Sequence, residues 1–142
     1  MVVAVRPQLH HTDCGLAALA MATGLAYEVV YQACPPKGRD GLTPRQLQAL
    51  ATKLGFSLRT KRGFDWAEDT GIVGVEYKHH SPGHWLYLRE GALIDPADGC
   101  IWSPEDYLAV REAECDEFLS VSPRPAARVR QRRKVKRGRP AV

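Results

Sequence analysis

The 142-residue chain lacks several patterns that would assign it quickly. Its four cysteines, Cys14, Cys34, Cys100 and Cys115, form no CxxC pair, which excludes a zinc ribbon or a thioredoxin motif. No apolar run reaches the ~18 residues of a membrane span. Residues 1–8 contain no secretory h-region, so export by a signal peptide is not expected. Four cysteines could form two disulfides, but without a secretory segment free thiols in a reducing, cytoplasmic compartment are the expectation. No internal repeat is present. His10, His11, His79 and His80 have no spacing that demands a metal, and neither a metal nor a cofactor is expected.

One further absence divides the chain. No acidic residue follows Glu117. Residues 1–122 hold all 16 Asp and Glu against 11 Lys and Arg, a net −5, while residues 123–142 carry nine basic residues and no acidic one. The overall +4 thus joins an acidic body to a basic tail. Hydrophobic residues make up 44% of the chain, and residues 1–122 are long enough for one folded domain with a real core. The tail has dense like charge and few large apolar side chains, a composition that predicts disorder.

Within the body, helices come first. Asp13 is placed to cap a helix over Cys14–Thr23, with Gly24 as its stop, and a short helix is expected over Tyr27–Ala33. "CPPKGRDG" is a loop by its proline and glycine content. Thr43 followed by Pro44 opens a third helix, in which Leu47, Leu50 and Leu54 share a face before Gly55. The second half reads as strands: "FSLRT", "IVGVEY", a hairpin "HWLYLREGALIDP" turning at Glu90-Gly91, and a last strand "EFLSVS". Ser103-Pro104 opens a short helix through Val110 between the hairpin and that strand. Helices followed by strands predict an α+β fold.

Cys14 stands where the polar run "QLHHTD" meets the apolar run "GLAALA". A thiol at the first turn of a helix meets unpaired N–H groups and the positive end of the helix dipole, and both favour thiolate over thiol. Gly15 leaves room for a carbonyl to approach. Such a nucleophile needs a base and a group to orient it. Among the five histidines, His84 alone opens a strand. With a two-residue turn at Glu90-Gly91, Leu86 faces Asp95, and His84, two residues along the same face, is the diagonal neighbour of that carboxylate. Asp95 could then hold the imidazole in one tautomer. A loop one residue longer would reverse this register. Trp85 and Tyr87 fall on the opposite face, as packing residues. The backbone N–H of Cys14 and the amide of Gln8 are candidate oxyanion donors.

The ordered set Gln8, Asp13-Cys14-Gly15 with its small-residue helix, Gly83-His84 opening a strand and Asp95-Pro96-Ala97 followed by Gly99 resembles the papain-like cysteine peptidases that process bacteriocin leader peptides, the double-glycine peptidases. "DGLTPRQLQALATKLGFSLRT" is similar to that family's second helical unit and the strand after it. The likeness spans residues 8–118. It implies a papain-like fold, with N-terminal helices packed on a C-terminal antiparallel sheet. It also implies Cys14 as nucleophile, His84 as general base, Asp95 as orienting acid and Gln8 as oxyanion donor. The expected reaction is cleavage of a peptide or isopeptide bond through a thioester on Cys14, with small residues such as Gly before the cut. The same set could run deamidation or transamidation. The best-known members are domains of exporters, and these 142 residues contain no transporter segment, so their Gly-Gly substrate does not carry over directly.

A reading of another class places the function in the tail, with the body an inactive papain-like module. Lys136-Arg137-Gly138-Arg139-Pro140 resembles the core of an AT-hook, whose arginines suit a narrow, negative minor groove. The preferred reading of residues 124–142 is a general polyanion-binding or solubilising tail, which could also dock an acidic protein. The expected partners are thus a peptide or protein substrate and, through the tail, a nucleic acid or acidic protein. A small enzyme of this build would suit a bacterium or a mobile element.

Overall fold

The computed structural model describes residues 13–35 and 41–123. Four helices pack on a six-stranded antiparallel sheet. The elements are α1 (Cys14–Thr23), α2 (Tyr27–Ala33), α3 (Pro44–Lys53), β1 (Phe56–Thr60), β2 (Thr70–Tyr77), β3 (His84–Arg89), β4 (Ala92–Ile94), β5 (Ile101–Trp102), α4 (Pro104–Val110) and β6 (Ala113–Pro123). The strand order is β1-β6-β2-β3-β4-β5. Among the described residues no helix is long and apolar enough to cross a membrane. Gln8 and Lys136–Pro140 lie outside the described residues, as do His10, His11 and all of the expected tail except Pro123, which closes β6.

The helical half follows from local signals. α3 starts with a complete capping box: the Gln46 amide N–H donates to the Thr43 hydroxyl at 3.2 Å, and the Thr43 N–H donates to the Gln46 side-chain oxygen at 2.9 Å. Pro44 fits the first turn, where its missing N–H costs nothing. α1 has a different logic. Gly15 through Met21 are all buried, so the helix is enclosed on every side, and its alanines let neighbouring backbones come close. Asp13 sits at its N-cap position, but its side chain does not cap. It is buried and accepts a hydrogen bond from the Tyr27 hydroxyl, tying the start of α1 to α2.

Alternation along the central strands sorts the core into two layers. Ile72 and Leu119 face α1, α2 and α3, whereas Val73 and Phe118, one residue away, face Tyr107 of α4. β2 is therefore buried on both faces from Gly71 to Val75.

The β3–β4 hairpin turns as the sequence predicts. Glu90 and Gly91 both have positive φ, 44° and 87°, the pattern of a two-residue turn that matches strand twist. Arg89 pairs Ala92, Leu88 pairs Leu93 and Tyr87 pairs Ile94. Gly83, which leads into β3, has no room for a side chain, since a Cβ there would stand 2.4 Å from the Val75 carbonyl oxygen. That close approach fixes where β3, and hence His84, begins. Three features exceed the expectation: the short strand β5 was not predicted, β6 begins four residues before "EFLSVS", and β6 carries a bulge against β2.

Candidate active site

Cys14 is the first residue of α1, and His84 is the first residue of β3, paired across the sheet with Val75. The two meet where the N-terminus of α1 reaches the end of β3. The Trp85 backbone N–H donates to the Cys14 sulfur at 3.4 Å, and Cys14 is near enough to the His84 imidazole to favour its charged form. One nitrogen of the imidazole is taken by Asp95, with Nε2 to Oδ1 at 2.7 Å. With Nε2 taken by the carboxylate, Nδ1 is the ring nitrogen left free of it. The carboxylate lies diagonally across the hairpin, where the two-residue turn puts it.

Asp95 is held from several directions. Its Oδ1 also accepts from the Ala97 N–H at 2.9 Å, and its Oδ2 accepts from the Tyr107 hydroxyl at 3.3 Å. The Tyr107 hydroxyl in turn meets that of Tyr77 at 2.8 Å. Asp95 is 4% exposed and Tyr107 fully buried. Neither tyrosine was singled out from the sequence. Tyr107 lies on α4 and Tyr77 at the end of β2, and only the packing of α4 under the sheet brings them to the carboxylate. The Ser103-Pro104 helix start was the available signal, but it carried no chemistry.

The electrostatics follow from these contacts. Burial opposes charge on His84, but the bond to Asp95 and then the nearness of Cys14, with their charges, outweigh it and push the imidazole up to about 9. Burial likewise opposes charge on Asp95, but the bond and charge of His84, the Ala97 amide and the Tyr107 hydroxyl hold the carboxyl below its ordinary value. Burial, with the Tyr77 bond and the Asp95 charge, pushes the Tyr107 phenol well up, so it stays a donor. The pair is thus an imidazolium held by a carboxylate, with a sulfur nearby.

Cys14 and His84 open onto a cleft of about 600 Å³. Trp85 forms part of its wall and packs against the first core. The Trp85 indole N–H donates to the Leu42 carbonyl at 2.8 Å, and its ring lies against Gly74, where a Cβ would come within 2.8 Å of it. Trp85 is therefore a packing residue, as expected, and also lines the cleft. Tyr87 packs with Met21 and Ile94. His80 stacks on the Tyr77 ring at the rim, with centroids 4.4 Å apart, and His79 pairs with Glu112 at 2.8 Å. Among the described residues no group of three or more His, Cys, Asp and Glu could hold a metal ion. All four cysteines are free thiols.

Removing the Tyr107 hydroxyl tests how Asp95 is held. Tyr107→Phe keeps the ring but leaves Oδ2 in a buried site with one donor fewer. The Asp95 carboxyl should then titrate at higher pH, because a hydrogen bond to its charged form is lost. The expected result is an upward shift of the Asp95 carboxyl titration, read from its carboxyl-carbon NMR signal against pH. An unchanged titration would assign Tyr107 to packing alone.

No protein-family model matches the chain, and no curated protein matches it significantly. Solved structures do. The peptidase domain of Streptococcus ComA, a bifunctional ABC transporter of a quorum-sensing pathway, superposes with a TM-score of 0.59 at 21% identity, covering 87% of this chain and 100% of that one. A double-glycine-motif protease from an AMS/PCAT transporter, solved with its leader peptide, gives 0.58 at 19% identity, covering 86% and 92%. At these identities the likeness establishes the fold, and it is the α+β, papain-like arrangement expected from the sequence.

Proposed function

We propose that the chain is a cysteine peptidase in which Cys14 is the nucleophile, His84 the general base and Asp95 the residue that orients it. The observation that carries this reading is that Cys14 and His84 line one cleft, the sulfur bonded to the N–H of the residue after His84, with Nε2 of His84 2.7 Å from Asp95. The fold shared with two peptidase domains supports it.

In the proposed cycle the Cys14 sulfur attacks the carbonyl carbon of a peptide bond and His84 holds the thiol proton. The tetrahedral oxyanion is met by the backbone N–H of Cys14, at a helix start that the Asp13 side chain does not cap. The C–N bond breaks as His84 gives its proton to the departing amine, leaving a thioester on Cys14. Water, deprotonated by His84, then cleaves the thioester and restores the thiol. Gln8 is proposed as a second oxyanion donor from its place six residues upstream. The residue before the cut is proposed to be small, such as Gly, in keeping with the double-glycine motif of the AMS/PCAT protease.

The test is to trap the intermediate. A glycyl-glycine thioester or activated ester, mixed with the protein and quenched in acid, should leave an acyl group on Cys14 detectable by mass spectrometry. Deacylation should be slower by about 10²-fold or more in His84→Ala. Acylation spread evenly over the four cysteines would overturn the assignment.

A further inference from the structure

The ionisable residues lining the cleft include two carboxylates, Glu76 and Asp116, and no lysine or arginine among the described residues. Both are exposed. Neither is ion-paired among the described residues, where the pairs are Lys61–Asp69, His79–Glu112 and His84–Asp95. Two features of the sheet concern these acids. Gly74 pairs Glu117 while Val75 pairs Cys115, so Asp116 is the extra residue of a bulge. A bulge next to a site re-aims a side chain, and here it accompanies a carboxylate in the cleft. One step further along, Glu76 stands directly opposite Glu114. Of that pair, Glu76 lines the cleft. The two strands thus place Glu76 and Asp116 together in the lining of the cleft.

We propose that the cleft selects peptide segments with a lysine or arginine close to the scissile bond, and that Glu76 and Asp116 are the residues that read it. This rests on the peptidase reading of the same cleft. It adds a substrate class, a basic segment, to the small residue at the cut. One source of such a segment is the chain's own residues 124–142, with nine Lys and Arg and no acid. The other is a separate protein.

The experiment uses the full chain and small thiol reagents of one size class and three charges: a cationic, an anionic and a neutral methanethiosulfonate. Their rates at Cys14, read by mass spectrometry, give a cation-to-anion ratio. In the double variant Glu76→Gln, Asp116→Asn this ratio should fall about tenfold, each charged reagent's rate being taken relative to the neutral one's in the same protein. High salt should shrink the wild-type ratio in the same direction. Glycine-rich pentapeptides carrying Lys at each position in turn should protect Cys14 better than their Glu counterparts, and the double variant should lose that difference.

An unchanged ratio, or equal protection by Lys and Glu peptides, would overturn the proposal and leave the peptidase reading standing. If the neutral reagent does not prefer Cys14 over the other three cysteines, the peptidase reading itself fails. Should the double variant not fold, Glu76→Gln alone and the salt series on wild type decide. Intact masses of wild type and Cys14→Ala separate the sources: pieces lost from residues 124–142 only with Cys14 present identify the chain's own segment, and an intact tail in both excludes it as the cleaved substrate.

Discussion

Replacing His84 by alanine should abolish the preferential alkylation of Cys14 near neutral pH. In the wild type, iodoacetamide at pH 6.5 is expected to modify Cys14 about a hundredfold faster than the other three cysteines. The imidazole is charged up to about 9, so throughout the neutral range the sulfur has an imidazolium beside it. The other thiols supply internal references. Cys34 is buried. A bond to Asp98, with that carboxylate's charge, pushes the Cys100 thiol up, and burial does the same to Cys115. Both should be slow at pH 6.5. In His84→Ala the Cys14 rate should fall toward theirs. Equal Cys14 rates in variant and wild type would remove the catalytic reading.

The second large effect is on stability. His84 has a folded-state value near 9 against an ordinary 6.5. A raised value means that the stabilisation is complete below about 6.5 and is lost as pH rises toward 9. The linked loss is about 3 kcal/mol across that window, a large part of a typical margin. Asp95 works in the other direction. Its lowered value stabilises the fold above the ordinary carboxyl range and is lost as acid protonates it. Stability should therefore be greatest between about 4 and 6.5 and fall on both sides. In Asp95→Asn, much of the decline between pH 6.5 and 9 should disappear, because the largest favourable partner of the imidazolium has lost its charge. Urea unfolding at half-unit pH steps checks this, and parallel profiles for the two proteins would contradict it.

The helices and the hairpin were readable because their signals are local. Thr43, Pro44 and Gln46 carry a capping box within four residues, and Glu90-Gly91 can supply the two positive φ angles of a tight turn. That turn alone set the diagonal from His84 to Asp95. What was not readable depends on packing. α1 is buried on all sides, more than the single face that Leu16, Leu19 and Ala20 form at helical spacing. Asp13 looked like a cap because nothing in its neighbours announces Tyr27, fourteen residues on. Tyr107 and Tyr77 reach Asp95 only through the docking of α4. The bulge at Asp116 arises from the pairing of β6 with β2, strands more than thirty residues apart in sequence. The expected Gln8 role and the Lys136–Pro140 segment lie outside the described residues.

The two-sided burial of β2 has a consequence for how the site can fail. Cys14 belongs to the layer of α1–α3, whereas Asp95 is anchored through Tyr107 to the layer beneath α4. His84 bridges them from the terminal ladder position of β3, opposite Val75. Fraying of that single rung would part sulfur from imidazole and leave both hydrophobic layers intact. Thiol reactivity is thus a more sensitive gauge of the molecule's cohesion than its melting temperature, because it reports the seam between the layers and not the layers themselves.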